Sequence, residues 1–246
     1  MAGTAAASQK QTLADAAYAR LKESVIEGEL APGAKVSIDG LARRLSISQT
    51  PIREALARLE SEGLLARRPL SGYTVTPLLD AAELADLYEI RLLLEPYAAR
   101  RAAERDPRGD RAGTQARLTA AARMPAPTVG RAAFTEADAR FHDEVALLSG
   151  SVQLRSAIRR LDAHLHLYRA YIEPKAIEET ESEHRAIAEA VARFDPAGAA
   201  EAMRIHLERA RDRHDAAFRN AEAARAEDTA GLPVLTGTHE RGEPIP

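Results

Sequence analysis

Apolar positions recur at helical spacing along most of the chain, and the breaks between runs fall on Gly, Pro, Ser and Asp. From about Thr12 to Glu27, the residues Leu13, Ala17, Leu21, Val25 and Ile26 share one helical face, and Gly28 closes the segment. The turn Leu30-Ala31-Pro32-Gly33 follows. Ile38, Leu41, Ala42 and Leu45 then line the inner face of a second, short helix with Ser37 as its N-cap, and Ser46-Ile47 turns into a third. That third helix, Ser48 to Leu64, has Ser48 placed to offer an N-cap oxygen, Pro51 in the tolerant first turn and Gly63 as its stop. Ile52, Ala55, Leu56 and Leu59 make its apolar stripe, while Gln49, Thr50 and Arg53 gather on the opposite side near its N-terminus. The pattern then changes: Leu64 to Arg68 and Tyr73 to Thr76 read as two strands around a Pro69-Leu70-Ser71-Gly72 turn.

Beyond Thr76-Pro77 no strand pattern returns. Asp80 and Glu83 form an acidic variant of the capping box and open a helix that runs to about Arg105, ended by Asp106-Pro107-Arg108-Gly109. A weaker helix, about Arg111 to Arg123, precedes a loop from Met124 to Gly130. Helices are predicted over Arg131 to Leu148, Val152 to Tyr171 and Glu178 to Phe194, and a last one from about Pro196 to Arg225. The pattern therefore divides the chain into a flexible lead-in (1–11), a small mixed domain (12–77), an all-helical domain (78–226) and a Gly-, Pro- and Thr-rich tail expected to be disordered (227–246).

Composition supports helices and removes several chemistries. The 246 residues suffice for one large or two small cores; 45% are apolar, 29% charged and only 4% aromatic, with no Trp. Cysteine is absent, which excludes disulfides and thiolate metal sites and fits a reducing compartment. No apolar run reaches membrane-spanning length, so a cytoplasmic, unanchored protein is expected. The net charge of -3 gives no global basic signature, so any contact with nucleic acid has to concentrate positive charge locally. Arg43 and Arg44 project from the second helix, Arg53 from the third, and Arg67 and Arg68 flank the hairpin. Helix, helix, turn, helix and hairpin within about 65 residues is the order of a winged helix-turn-helix. Its third helix is then the base-reading one.

In the helical domain Asp138 and His142 lie four residues apart, one above the other on the same face. His184 and His206 flank the turn Asp195-Pro196-Ala197-Gly198 at about eleven residues on either side, which sets them at one height in a helical hairpin. With Ile187 and Val191 beside one, and Met203 and Ala210 beside the other, both imidazoles point inward. Two readings follow: satisfied core histidines, or, with Asp138 and His142, a cage for a divalent metal. One carboxylate and three imidazoles suit zinc first, with nickel, manganese or iron also compatible. Such a site would serve a metal-dependent hydrolase, a metal-sensing device or a ligand-binding one. His166 is expected in solvent, His214, two turns beyond His206, either lines the cavity or, as the favoured reading, faces solvent, and His164 fits no ligand pattern.

Two runs resemble a known family. G-x-L-x-P-G at Gly28 to Gly33, followed by LARRLSISQTPIREALARLESEGLL with its S-x-T-P-x-R-E-A-L core, is similar to GntR-type transcription regulators over about Leu13 to Pro77. The resemblance implies that Ser48, Thr50 and Arg53 contact phosphate or bases and that Gly72 of the wing approaches DNA. It departs at Gln49, where many relatives carry Arg; Arg suits guanine and Gln suits adenine. D-A-R-F-H at Asp138 to His142, E-H at Glu183-His184 and I-H at Ile205-His206 resemble the FCD effector domain of FadR-like members, over about Asp80 to Ala226. That resemblance implies an antiparallel helical bundle, homodimerisation and a divalent metal at Asp138, His142, His184 and His206. It also implies a small organic acid as effector. Arg91, in R-x-x-x-E at Arg91 to Glu95, is either a partner for that acid or half of a helix ion pair. The expected protein is mainly α, not an enzyme, and binds a pseudo-palindromic double-stranded operator.

Overall fold

The computed structural model describes residues 13–68, 72–105, 111–161, 163–167 and 174–230, with the backbone alone for 111, 127, 164, 165, 174, 175 and 221–230. The first domain contains α1 (Leu13–Ile26), β1 (Lys35–Val36), α2 (Ile38–Leu45), α3 (Gln49–Ser61), β2 (Leu65–Arg68) and β3 (Gly72–Val75). Leu21, Ile26, Ile52, Leu56, Leu59 and Leu64 are fully enclosed in its core, so the helical stripes read from the sequence are the ones that pack. Ser37 accepts the Gly40 N–H and caps α2. Ser46 takes the left-handed conformation (φ 55°) and its N–H returns to the carbonyls of Ala42 and Arg43, which makes the tight turn into α3. Ser48 does occupy the N-cap position of α3, but its hydroxyl makes no capping hydrogen bond. It stays exposed, with its oxygen uncommitted to the helix.

The sheet has the order β1-β3-β2, all antiparallel, with Lys35 opposite Thr74 and Arg68 opposite Gly72. Strand β1 was not anticipated: two residues are too short to show an alternation, and it exists because β3 offers it an edge. Gly72 has φ +80°, a conformation that disfavours any side chain and accounts for glycine at the wing. The turn at 69–71 and the lead-in at 1–11 lie outside the described residues.

The second domain contains α4 (Ala81–Glu104), α5 (Arg111–Ala121), a 3-10 turn (Pro127–Val129), α6 (Arg131–Leu148), α7 (Val152–Arg160), α8 (Ala163–Leu167), α9 (Pro174–Ala192) and α10 (Pro196–Ala230). The capping box that opens α4 is present in both halves: Asp80 accepts from the Glu83 N–H, and Glu83 accepts from the Asp80 N–H. Helices α4, α6, α9 and α10 enclose a core in which Ala99, Ala102, Ala103, Ala188 and Ala199 pack beside Phe141, Ile187, Met203 and Leu207. Alanines bring these helices close, and close helices bring long polar side chains into contact. Asp195 caps α10 through the Gly198 N–H at 2.8 Å, and a side chain at Gly198 would collide with that carboxylate. The hairpin of α9 and α10 is thereby a tight one.

Three boundaries differ from expectation, the first being that α9 begins at Pro174 rather than Glu178. The segment Val152 to Tyr171 is not one helix: α7 ends where the Leu161 N–H turns to the carbonyls of Ile158 and Arg159, and α8 begins two residues on. Helix α10 continues to Ala230, past Arg225; residues 231–246 and 106–110 lie outside the described residues.

The domains meet where α1 ends and α6 begins. Helix α6 has no capping side chain of its own, since Gly130 occupies the N-cap position with φ 100°. Glu27, at the end of α1, supplies the missing group: its carboxylate accepts the Ala132 N–H at 2.8 Å, and Arg131 donates to the Glu27 main-chain carbonyl. A carboxylate at a helix N-terminus also meets the positive end of the helix dipole. A Cβ on Gly130 would stand 2.9 Å from the Glu27 carboxylate, so the small residue lets that carboxylate come close. Ala132 packs against the core of the first domain.

Candidate functional site

Three helices converge on one buried polar cluster. Helix α6 contributes Asp138 and His142, α9 contributes His184 and α10 contributes His206; their exposures are 0%, 2%, 0% and 1%. One ligand atom from each lies within 4.8 Å of all the others. The four residues singled out from the sequence are therefore brought together, and the equal-height argument for His184 and His206 holds, with their ring centroids 4.8 Å apart.

The surroundings fix the imidazoles. His142 engages the Glu95 carboxylate through Nδ1, and His206 engages Glu183 Oε2 through Nδ1 at 2.8 Å. Each carboxylate is held in turn by an arginine: Arg91 Nε donates to Glu95 Oε1 at 2.7 Å, and Arg213 donates to both oxygens of Glu183 at 2.9 and 3.0 Å. Burial works against the charge on Glu95, but Arg91 and His142 outweigh it and hold the carboxyl well below its usual range. Burial also opposes ionisation of Glu183, yet the hydrogen bonds from His206 and Arg213 bring it down to about 2. Two ionised carboxylates thus take the Nδ1 protons and leave the Nε2 lone pairs directed inward. The Nε2 atoms of His142 and His206 then face each other at 3.2 Å, an arrangement of two acceptors that calls for a cation or a proton between them.

His184 is held differently. Its ring stacks on Phe141, with centroids 3.9 Å apart and planes at 13°, and neither ring nitrogen has a hydrogen-bond partner among the described residues. Nε2 lies 3.3 Å from Asp138 Oδ1, near enough for attraction but out of hydrogen-bond alignment. Burial pushes this imidazole down to about 3, so it is neutral with its lone pair available. Nitrogen and oxygen ligands around one zinc-like ion stand roughly 3 to 3.5 Å apart. The separations of 3.2 and 3.3 Å fall in that range, the 3.9 Å between His142 and Asp138 lies above it, and the donor set of one carboxylate and three imidazoles suits such an ion.

Beside the cluster, Arg91 is 1% exposed; it both pairs with Glu95 and retains a buried Nη2 without a partner among the described residues. Its guanidinium lies over the Tyr88 ring at 5.3 Å. His214 does not face solvent as expected. It is 7% exposed, with Nδ1 2.8 Å from Tyr88 Oη and 2.7 Å from the Ala210 carbonyl, because α10 keeps the same face against α4 for two turns beyond His206. His166 is half-buried, and its ring lies against Gly63 at the end of α3. The side chain of His164 is outside the described residues. No motif marks Arg213 in the sequence; its spacing of seven from His206, which puts it on the same helical face, is the one signal for it.

The first domain presents its polar residues outward. Arg43 on α2, Ser48, Gln49, Thr50 and Arg53 at the leading end of α3, and Arg67, Arg68 and Gly72 on the wing are all exposed. Arg67 and Arg68 stand on β2, the strand at one edge of the sheet. Gln49 donates to Asp39 on α2 and accepts from Arg53 Nη2 at 3.3 Å.

A winged helix-turn-helix joined to a helical bundle has the construction of a DNA-binding regulator. Comparison with known proteins gives the family. Residues 13–75 match the bacterial regulatory proteins of the gntR family, and residues 86–209 match the FCD domain. The chain belongs to this family of transcriptional regulators, and it is not an enzyme. An HTH-type transcriptional regulator in an unstable DNA locus of Streptomyces ambofaciens is 30% identical over 223 residues, 88% of this chain and 91% of that one. YdhC of Bacillus subtilis, also an HTH-type regulator, is 36% identical over 81 residues; the match covers 33% of this chain and 36% of the relative's length. Among solved structures E. coli McbR/YncC superposes with a TM-score of 0.61 at 23% identity, covering 85% of this chain and 99% of that one, which supports the fold. Among the described residues no helix is long and apolar enough to cross a membrane.

Three outcomes follow. Arg53→Ala removes specific operator binding in a gel-shift assay without altering the unfolding transition, since Arg53 is exposed. Arg68→Ala weakens all sequences alike and lowers the salt slope by about 1, the signature of a lost phosphate contact. Stability in the presence of a chelator falls on acidification. The folded-state value of His214 is depressed to about 4 from 6.5 by burial, so between those pH values the unfolded chain binds the proton and the folded chain does not. Stability from this residue is full above pH 6.5 and is lost as the pH falls towards 4, by up to about 1.4 kcal/mol per pH unit. Urea unfolding of His214→Gln between those limits shows a shallower pH slope than the parent.

Proposed function

We propose that the protein is a one-component, homodimeric regulator whose affinity for a pseudo-palindromic operator is set by a divalent metal and a small carboxylate metabolite in the helical domain. The observation that carries this reading is the buried convergence of Asp138, His142, His184 and His206, with the Nε2 atoms of His142 and His206 3.2 Å apart. These four residues would hold the ion; zinc suits them first, and nickel, manganese and iron remain compatible. When bound, it would supply a positive centre at which a carboxylate can be a further ligand. Arg91, buried and with Nη2 unpartnered among the described residues, supplies a second point of attraction for the same anion. Ser48, Gln49, Thr50, Arg53 and Arg43 meet the operator's major groove and its phosphates, with Arg67, Arg68 and Gly72 beside the wing contact.

Control of the head by the bundle runs through α6. The helix that carries Asp138 and His142 begins on the Glu27 carboxylate of the first domain. A change in α6 that accompanies ligand binding alters the joint, and the joint sets where the recognition helix lies relative to its dimer mate. Such coupling requires a differential free energy of about 1–3 kcal/mol.

Zinc raises the melting temperature of the parent protein but not that of His184→Ala or His206→Ala. Glu183→Gln, which keeps all four ligands, weakens metal affinity by about 10–100-fold. A screen of metabolic carboxylates on metal-loaded protein yields an acid that stabilises the parent and loses its effect in His206→Ala; an acid that stabilises both equally places its site elsewhere. Glu27→Ala leaves metal affinity unchanged but reduces the ratio of operator affinities with and without metal. An unchanged ratio removes the α1–α6 joint from the route.

A further inference from the structure

The recognition helix does not present Gln49 as a free side chain. Its amide spans two helices, with Nε2 donating to Asp39 Oδ1 in the first turn of α2 and Oε1 accepting from Arg53 Nη2 at 3.3 Å one turn further along α3. All three residues are exposed on the side that bears Arg43 and Thr50. The two neighbours fix the orientation of the amide: turned over, its carbonyl would face the Asp39 carboxylate and its NH2 the guanidinium, two repulsions in place of two attractions. An amide has two N–H donors and two acceptor lone pairs. One of each is taken here, leaving one N–H and one lone pair on Gln49.

We infer that Asp39 is a positioning residue for base readout, holding the Gln49 amide so that its remaining N–H and lone pair read the N7 and N6 edge of adenine. An acidic side chain on a face that meets DNA is otherwise unfavourable for binding, and its pairing with Gln49 gives it a use. The same pairing steers Arg53, whose guanidinium is tethered to Gln49 Oε1, towards the neighbouring step. The role of Asp39 is therefore to choose among bases rather than to add affinity.

This inference rests on the DNA-binding reading, and one experiment separates their failures. Full-length parent, Asp39→Ala, Asp39→Asn and Gln49→Ala proteins are each used to select from a randomised duplex library, and the base frequencies are compared position by position. The parent enriches adenine at one position per half-site, and Gln49→Ala loses about tenfold or more of that preference. Asp39→Ala loses adenine preference at the same position, and Asp39→Asn, whose side-chain oxygen still accepts from Gln49, retains it. The inference is overturned if Asp39→Ala keeps the parent's preference there. It is also overturned if Asp39→Ala changes only a position that Gln49→Ala leaves alone, since Asp39 would then read a base itself. A library from which the parent enriches nothing overturns the DNA-binding reading and this inference with it.

Discussion

Placing three imidazoles and a carboxylate in the middle of a helical core is a severe electrostatic constraint, and much of the second domain answers to it. Unpaired charge in such a place costs several kcal/mol, so buried ionised groups need partners. Here the partners come in matched chains: Arg91, Glu95 and His142 on one side, Arg213, Glu183 and His206 on the other. The carboxylates stay ionised because each accepts from an arginine and an imidazole, and the imidazoles in turn aim their Nε2 atoms at each other and at Asp138. At the centre, His184 is desolvated to neutrality with no hydrogen bond of its own among the described residues. In the proposed reading a divalent ion would take up its lone pair.

The same constraint gives the alanines of this core a use. Ala99, Ala102, Ala103, Ala188 and Ala199 let α4, α9 and α10 approach closely enough for long side chains to bridge between helices. Bulkier residues would spread the helices and break the chains of contacts. It also explains the importance of α6, which carries two of the four cluster residues near its middle and meets the reading head at its N-terminus. The head supplies the cap that α6 lacks, so the geometry of the cluster and the seating of the head share one rigid element.

Legibility in the sequence followed periodicity and spacing. The stripes of α1 and α3, the capping box at Asp80 and the symmetric placement of His184 and His206 about the Asp195-Gly198 turn are all local or hairpin-scale regularities, and they translated into contacts. Strand β1 did not, because two residues carry no period and only β3 makes them a strand. The break between α7 and α8 has no Gly or Pro to announce it. His214 was assigned to solvent because nothing local distinguishes an inward histidine from an outward one on a long polar helix; the Tyr88 hydroxyl that receives it lies 126 residues away. The Glu27 joint was invisible for the same reason, being a contact between residues 105 apart.

Cobalt(II) titration of the metal-free protein, followed through its visible ligand-field bands, tests the central claim most directly, because the bands report the nitrogen and oxygen donors around the ion. The account predicts bands that saturate at one equivalent per chain, disappear on addition of excess zinc, and are absent or strongly altered in His184→Ala. Bands that never saturate, or that are the same in His184→Ala as in the parent, would contradict a metal centre at Asp138, His142, His184 and His206.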